Sequence, residues 1–498
     1  MKIVYIGAGS FRFGYGLFKN LCAVAKVLPL DIWLVDINEP LLVLMTKFLK
    51  RMRKVYKIED MMKIQMTTDR RKALENADIV LNSISIGQQD SDFYDIHIPQ
   101  KFGIPQNTGD TVGPGGIFRT LRCVPVVLEF IKDHAEICPD ALHLNYTNPQ
   151  AALVLAARQN YPQVEMNGVC HELYGGMKRI HNLLKKLGRK EIPHWENLDI
   201  TYAGVNHFTW LFSCQFEGDD LYPLLRENAG IGGKKVGRPF NFHLLQKHGY
   251  FCYPGSRHIA EFMPEYYNFF NRLEIAKKWK MPKLRWIWFL RAARGMVYWY
   301  YHQVARGFLP CPNPTTKGER VNEICMDWLE SKAYSTETPH RYLPLNIPNT
   351  GHKYVSNLPE NSVLELTCYF KDGKTEAIPI GKLPEKIAGF LRVHAENTSK
   401  FVDAALSGDP DILLKAFLAD PMCQFIEDAD ALEDIMWNML YYEQRWLPKF
   451  KESIPKKEDL KKLKHYVSEE DLKNNKEARK VKWEPKPSLR EKAFFIQK

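Results

Sequence analysis

The sequence has no apolar run long enough to form a membrane-spanning helix. No signal peptide is expected either, because the short apolar run after Lys2 ends at Gly7 and is typical of a strand. Its ten cysteines include no CxxC pair and no regular spacing, which argues against a disulfide framework. These absences predict a cytoplasmic protein with reduced thiols.

Positive charge is in excess but is unevenly distributed. The net charge is +11, and residues 451–498 hold 15 Lys or Arg against 9 Asp or Glu. A segment so rich in charge is predicted to be a solvated, partly helical tail, with a docking arm for a partner as the alternative. Because much of the excess lies in this tail, neither a nucleic-acid partner nor a membrane partner is expected.

Strand-like and helical segments alternate over the first part of the chain. The strand-like segments are Lys2–Gly7, Asp31–Asp36, Ile64–Thr67, Ala77–Ser83 and Ala141–Tyr146. This alternation predicts an α/β fold, with a Rossmann-like, doubly wound parallel sheet whose ligands bind beyond the carboxyl ends of the strands. From about residue 200 the pattern becomes mixed α+β, with strands at Leu198–Gly204, Thr209–Glu217 and Val363–Phe370, long helices at Arg257–Leu273 and Pro282–Ala305, and loops at Pro310–Pro314 and Thr336–Pro348.

A length of 498 residues with 45% hydrophobic residues is sufficient for more than one domain. We predict a nucleotide-binding domain over residues 1–197, an α+β domain for substrate, metal and oligomerisation over 198–448, and the basic tail over 449–498.

A glycine turn follows the first predicted strand. Gly7 and Gly9 permit close approach to a pyrophosphate, and Ser10 follows them, but Arg12 stands where the GxGxxG pattern has its third glycine. Asp36 ends the second strand, where an acid can accept bonds from a ribose 2′-hydroxyl and favour NAD. Asn82, at the end of a later strand, could reach the nicotinamide ribose. An ordinary βα turn with a capping Asp, and a capping Asn, are the alternatives.

Four further segments carry polar residues: NTGDTVGPGGIFR (107–119), NYTNP (145–149), GVCHE (168–172) and GVNHFTW (204–210). Cys170 and His207 are 37 residues apart, which matches no zinc-finger spacing. A thiolate and an imidazole with few other protein ligands suggest a divalent ion open to substrate. Taken singly, each is more often a buried structural residue.

The order IGAGS, VDIN, GDTVGPGGIFR, NYTNP, GVCH, GVNHF, RHIAEF and NLP resembles that of the family 4 glycoside hydrolases over roughly residues 1–445. The resemblance implies a lactate/malate dehydrogenase-like architecture and an NAD- and metal-dependent glycosidase. It also implies a mechanism: NAD takes a hydride from sugar carbon 3, a base removes the proton at carbon 2, and the metal stabilises the enediolate. The aglycone then leaves, water adds, and the ketone is reduced again.

The resemblance assigns roles to particular residues. Cys170 and His207 would bind Mn²⁺ or a similar ion, Asn148 and Asn206 would bind the sugar, and His171 would be the general acid. Cys170-His171 resembles branches acting on unphosphorylated α-glycosides, with α-galacturonides or α-galactosides favoured. Arg119 would pair with a uronate carboxylate, although a structural ion pair is the alternative. The resemblance also suggests a homodimer or homotetramer.

The chain departs from the family pattern at the expected base. GSRHIAEF has Ser256 where related members have Asp, and a serine hydroxyl is no base near neutral pH without activation. Tyr250 and Tyr253 are nearby alternatives that could equally well be packing residues. Two other functions therefore stay open: a degenerate member that binds NAD or sugar without hydrolysis, and a hydroxyacid dehydrogenase.

Overall fold

The computed structural model describes residues 1–10, 14–104, 106, 108–188, 198–230, 239–266, 283–313, 328, 331, 343–426 and 428–473.

The first part of the chain is a parallel sheet wound with helices. Its strands are β1 (Lys2–Ile6), β2 (Leu30–Val35), β3 (Met62–Thr67), β4 (Ile79–Asn82), β5 (Leu142–Asn145) and β6 (Met166–Val169). Its helices are α1 (Gly14–Val24), α2 (Glu39–Val55), α3 (Arg70–Leu74), α4 (Gln88–Lys101), α5 (Gly113–Ile137), α6 (Gln150–Asn160) and α7 (Glu172–Lys186). The strand order is β3-β2-β1-β4-β5-β6, with every neighbouring pair parallel. The predicted Rossmann-like sheet is confirmed.

The sheet continues into the second part of the chain. The added strands are β7 (Asp199–Val205), β8 (Phe208–Phe216), β9 (Asp219–Asp220), β10 (Phe251–Cys252), β11 (Leu343–Pro348), β12 (Val363–Lys371) and β13 (Lys374–Ala377). From β6 the order runs β11-β12-β7-β8-β10, while β13 pairs with β12 and β9 with β8. All these additions are antiparallel. Within the described residues, a single mixed sheet of 13 strands therefore joins both parts.

Strand β11 corrects the prediction of a loop over Thr336–Pro348. Its residues 343–348 pair with β12 along their whole length, and Leu345 and Asn346 also pair with β6. Pro344 and Pro348 favour a loop, because proline has no main-chain N–H to donate to a neighbouring strand. The strand forms because Leu343, Leu345 and Ile347 are buried in the core and because β12 and β6 pair with it from both sides. Residues 336–342 lie outside the described residues.

The second part also contributes helices that cover the sheet. They are α8 (Tyr222–Glu227), α9 (Pro239–His248), α10 (Ser256–Phe262), α11 (Lys283–Arg306), α12 (Glu385–Ser407), α13 (Pro410–Ala419), α14 (Ala429–Glu443), α15 (Lys457–Leu460) and α16 (Glu469–Lys473). The predicted helix over Arg257–Leu273 corresponds to α10, which ends at Phe262, and residues 267–273 lie outside the described residues. In the part of the chain that the structure describes, no helix is both long and apolar enough to cross a bilayer.

The hydrophobic cores do not follow the predicted domain boundaries. One core contains Tyr5 and Phe48 from the first part together with Trp210 and Leu366 from the second. Another core includes Phe450, Val467 and Leu472 from the predicted tail, and Leu460 of the same segment is also buried. The segment 449–473 is thus packed against the protein, which differs from the solvated tail expected from its charge, because its few apolar residues are buried.

Candidate active site

The glycine turn after β1 is tightly packed against neighbouring strand ends. Gly7 has φ +84°, and a Cβ there would lie 2.5 Å from the Ser83 carbonyl oxygen. The Gly9 amide donates to Asp36 Oδ2 at 2.8 Å, and the Ser10 amide donates to the Gly7 carbonyl at 2.9 Å. A Cβ at Gly9 would meet the same Asp36 oxygen at 2.8 Å. The turn thus requires glycine for close backbone approach, which is the feature that a pyrophosphate site needs.

Asn82 lies at the carboxyl end of β4, as predicted, but its side chain is fully buried. Its amide contacts His143 Nε2 at 2.9 Å and Thr147 Oγ1 at 3.4 Å. His143 Nδ1 in turn lies 3.2 Å from His134 Nδ1. Asn82 therefore belongs to a buried polar chain that supports the segment after β5.

A carboxylate and two imidazoles meet beyond the carboxyl ends of the strands. The ligand atoms of Asp110, His207 and His258 all lie within 4.8 Å of one another. Asp110 Oδ1 is 3.7 Å from His207 Nδ1 and 3.8 Å from His258 Nδ1, and the two rings are 4.0 Å apart. One carboxylate oxygen and two imidazole nitrogens form a donor set that suits a divalent transition metal.

Charge couples the three groups of this cluster. Burial opposes ionisation of Asp110, but the hydrogen bond and charge of His207, with the charge of His258, hold its pKa well below the ordinary value. Burial likewise opposes the charged form of His207, yet Asp110 outweighs it and raises the His207 pKa. Burial and the His207 charge lower the pKa of His258 to about 4. The cluster thus holds a carboxylate ready for a cation.

His207 lies in a tight turn between β7 and β8 and has φ +67°. This left-handed conformation is unfavourable for a residue other than glycine or asparagine and costs on the order of 1 kcal/mol. Thr111 Oγ1 lies 3.0 Å from its Nδ1. A strained backbone at a side chain that faces a carboxylate is typical of functional positions.

Cys170 is buried at the carboxyl end of β6 but is outside the group of three metal-ligand candidates. Burial, and then the nearby carboxylate of Glu365, raise the pKa of its thiol. Glu365, on β12, accepts hydrogen bonds from Asn206 Nδ2 at 2.8 Å and from the Tyr253 hydroxyl. Asn206 Oδ1 is buried without a hydrogen-bond partner among the described residues. Glu365 thus connects the thiol to the turn that carries His207.

His171 and Glu172 follow Cys170 at the start of α7. The His171 side chain is 57% exposed, as a proton donor to a bound ligand needs to be, and its Nε2 is 3.9 Å from Glu172 Oε1. The second carboxylate oxygen of Glu172 accepts the Gly255 amide at 2.7 Å. Burial would raise the pKa of Glu172, but the charges of His258, His171 and His207 outweigh it and lower the pKa. Glu172 is thus a carboxylate beside the cluster.

The three residues considered for the base occupy different environments. Ser256 is buried, and its hydroxyl donates to Asn241 Oδ1 at 2.8 Å. Tyr253 is buried and donates to Glu365, and burial together with the Glu365 charge raises its pKa well above the ordinary value. Tyr250 is half-buried and packs against Phe212. Two of the three hydroxyls are therefore engaged in buried hydrogen bonds.

Arg119 and Asn148 lie beside the cluster. The segment 107–119, which its glycines predict to be a loop, turns into helix α5 at Gly113, so Arg119 lies in the first turns of α5. Its Nη1 donates to Asp92 Oδ1 at 3.2 Å and its Nε donates to the Asn148 carbonyl at 3.2 Å. Asn148 Nδ2 donates to Asp110 Oδ2 at 3.1 Å. Asn148 thus contacts the candidate metal cluster directly.

The motifs contained Asp110, His258 and Glu172, but sequence reasoning gave none of them a ligand or catalytic role. The signal for Asp110 was its position in the GDTVG segment, and that for His258 was its place two residues after Ser256 in the RHIAEF segment. Glu365 had no signal, because it is far from the other residues in sequence.

Comparisons with known proteins identify the family of the chain. The model of the family 4 glycosyl hydrolases matches residues 2–186, and the model of the family 4 glycosyl hydrolase C-terminal domain matches residues 202–423. These matches cover most of the chain, so the chain belongs to family 4 of the glycosyl hydrolases.

Two relatives of named activity are similar to most of the chain. An alpha-galactosidase from Bacillus subtilis is 30% identical over 452 residues, covering 90% of this chain and 100% of the relative. An alpha-galacturonidase from Thermoanaerobacter italicus is 29% identical over 455 residues, covering 86% of this chain and 94% of the relative. The relatives place the chain in the class of glycosidases.

Two solved structures share the fold. The crystal structure of lplD from Bacillus subtilis has a TM-score of 0.78 at 26% identity, covering 88% of this chain and 99% of that one. A 6-phospho-alpha-glucosidase from gut microorganisms, solved in complex with NAD and Mn²⁺, has a TM-score of 0.74 at 20% identity, covering 90% and 99%. Because the 6-phospho-alpha-glucosidase is only 20% identical, its similarity confirms the fold alone.

Proposed function

We propose that this glycosidase hydrolyses unphosphorylated α-glycosides, with α-galacturonides or α-galactosides favoured, and that it uses recycled NAD and a divalent metal such as Mn²⁺. The observation that carries the proposal is the cluster of Asp110, His207 and His258 beside Asn148, at the same sheet edge as the glycine turn. Relatives named alpha-galactosidase and alpha-galacturonidase support the choice of substrates.

The donor set of the cluster fits a metal. Asp110, His207 and His258 would hold the ion, with Cys170 as a further candidate, and the unpaired buried oxygen of Asn206 next to His207 is a polar atom that such a site could engage. Bound there, the ion would act as a Lewis acid toward sugar oxygens.

The glycine turn fits NAD. Gly7 and Gly9 leave no room for a Cβ, and Asp36 lies at the end of β2, where a ribose hydroxyl would bind. NAD would supply reversible hydride acceptance from the sugar. The protein would contribute to hydride transfer by positioning the sugar, because the reacting atoms must be close and correctly oriented.

The remaining steps fall to the chain's own side chains. Asn148 would bind a sugar hydroxyl next to the Asp110 carboxylate. The exposed His171 imidazole would protonate the leaving glycosidic oxygen. Glu172 would take the proton at carbon 2, since its carboxylate lies against Gly255, adjacent to the position where Ser256 replaces the usual Asp. Ser256 itself would have a structural role through Asn241.

The test is hydrolysis of nitrophenyl α-galacturonide and nitrophenyl α-galactoside by the full chain with NAD⁺, Mn²⁺ and a reductant. We expect release of nitrophenol that requires both cofactors. No release with retained NAD binding in calorimetry would favour the degenerate member, and net NADH formation from a simple hydroxyacid would favour a dehydrogenase. Release that persists after exhaustive chelation and NAD removal would contradict the proposed mechanism.

A further inference from the structure

Arg119 links two helices to the loop that carries Asn148. It lies on α5, and its Nη1 donates to Asp92 on α4 at 3.2 Å, with side chains only 17% and 23% exposed. Its Nε donates to the Asn148 main-chain carbonyl at 3.2 Å. The ion pair fixes the guanidinium, and the guanidinium fixes the Asn148 peptide.

The chain of contacts continues to the metal cluster. The Asn148 side chain donates to Asp110 Oδ2 at 3.1 Å, while the other oxygen, Oδ1, is the one closest to His207 and His258. The hydrogen bond from Asn148 therefore sets which carboxylate oxygen is directed at the two imidazoles. Partners that orient metal ligands in this way typically change metal affinity by 10–100-fold.

The same contacts leave the guanidinium poorly suited to bind a ligand. Two of its three nitrogens are engaged within the protein, and Asp92 supplies the compensating charge. Bidentate recognition of a carboxylate needs two free parallel N–H groups. A uronate group would have to displace Asp92 or the Asn148 carbonyl.

We propose that Arg119 is a positioning residue: with Asp92 it holds Asn148 so that Asn148 orients Asp110 in the metal site. This inference rests on the proposed function, both for the metal site and for its activity readout. It predicts that Arg119 does not select between uronides and neutral glycosides. Selectivity for a uronate carboxylate has to come from other side chains.

The experiment compares Arg119→Lys and Asp92→Asn with the wild-type chain. A lysine ammonium cannot bridge the Asp92 carboxylate and the Asn148 carbonyl in the same way, since it lacks the planar fork. Arg119→Lys should weaken Mn²⁺ binding, measured by calorimetry without substrate, by about tenfold. Asp92→Asn leaves the hydrogen bond from Arg119 to the Asn148 carbonyl in place, so it should weaken Mn²⁺ binding less. Both variants should lose galacturonide and galactoside hydrolysis by equal factors.

Arg445→Lys is the matched control, because Arg445 pairs at 3.4 Å with Asp90, which lies on the same helix as Asp92. It should bind Mn²⁺ like the wild type. Thermal unfolding and NAD binding of each variant verify the fold. Unchanged Mn²⁺ affinity in folded Arg119→Lys, or selective loss of galacturonide hydrolysis, would overturn the inference. If the wild type hydrolyses neither glycoside, the proposed function fails while the Mn²⁺ titrations still decide the role of Arg119.

Discussion

The Glu172 carboxylate accepts a hydrogen bond of 2.7 Å from the main-chain amide of Gly255. This contact places a carboxylate next to Ser256, the position at which the family resemblance leads us to expect an aspartate. The charges of His258, His171 and His207 keep that carboxylate ionised against the effect of burial, as its lowered pKa indicates.

Glu172→Gln should therefore lower kcat by about 100-fold or more, because general-base catalysis contributes that much. Mn²⁺ and NAD binding should be retained. Glu165→Gln is the control. Glu165 also accepts a hydrogen bond from a main-chain amide, that of Thr375 at 3.2 Å, but it lies at the opposite end of β6. Ser256→Asp in the Glu172→Gln background should recover part of the rate. Full activity of Glu172→Gln would remove this residue from the mechanism.

His207→Asn should separate metal binding from stability. Asparagine tolerates the left-handed backbone at φ +67°, so we expect the free energy of unfolding to change by no more than about 1 kcal/mol. Mn²⁺ affinity should fall at least tenfold, because an imidazole ligand is lost. His352→Asn is a matched control, as His352 also has positive φ but lies outside the cluster. Equal Mn²⁺ affinity in both variants would show that His207 is not a ligand.

His394 should make the protein less stable in acid. It is buried on α12, where burial lowers its pKa to about 4, and its Nε2 lies 2.8 Å from the Phe262 carbonyl. The unfolded chain protonates near pH 6.5, so the contribution is complete above that pH and is lost as pH falls toward 4, by up to about 3 kcal/mol.

His394→Gln keeps a donor for the Phe262 carbonyl but does not titrate. Its free energy of unfolding in urea should therefore depend less steeply on pH between 6.5 and 4 than that of the wild type. Parallel pH profiles for the two proteins would contradict the role assigned to His394.

Leu460→Ala should test whether the segment 449–473 belongs to the core. Leu460 is fully buried, and removing such a side chain typically costs 2–5 kcal/mol. Urea unfolding would measure the loss, with Lys461→Ala, at the exposed neighbouring position, expected to match the wild type. A loss below about 0.5 kcal/mol would mean that the segment is an appendage after all.

Sequence reasoning was accurate where the signal is local. The turn of Gly7 and Gly9 and the acid Asp36 follow strands whose apolar runs are evident, and the structure brings them together. The strands around His207 were also predicted nearly to their ends, because alternation and the short polar turn lie in one segment.

Sequence reasoning was incomplete where contacts are long-range. Glu365 bonds to Asn206 across 159 positions, and no local pattern indicates such a contact. Cys170 and His207 were predicted as a metal pair from the family resemblance, whereas the geometric cluster joins His207 to Asp110 and His258. Pro344 and Pro348 favoured a loop over β11, and the strand forms through its pairing with β6 on one side and β12 on the other.

Strand β11 has a consequence for how the molecule can be divided. It comes from residues 343–348, yet it completes the edge of the parallel sheet next to β6. A fragment of residues 1–197 would expose main-chain donors and acceptors of β6 that the whole chain pairs, and such an edge invites association between copies. The N-terminal half is therefore no transferable module: domain exchange between relatives would have to carry strand β11 along with it.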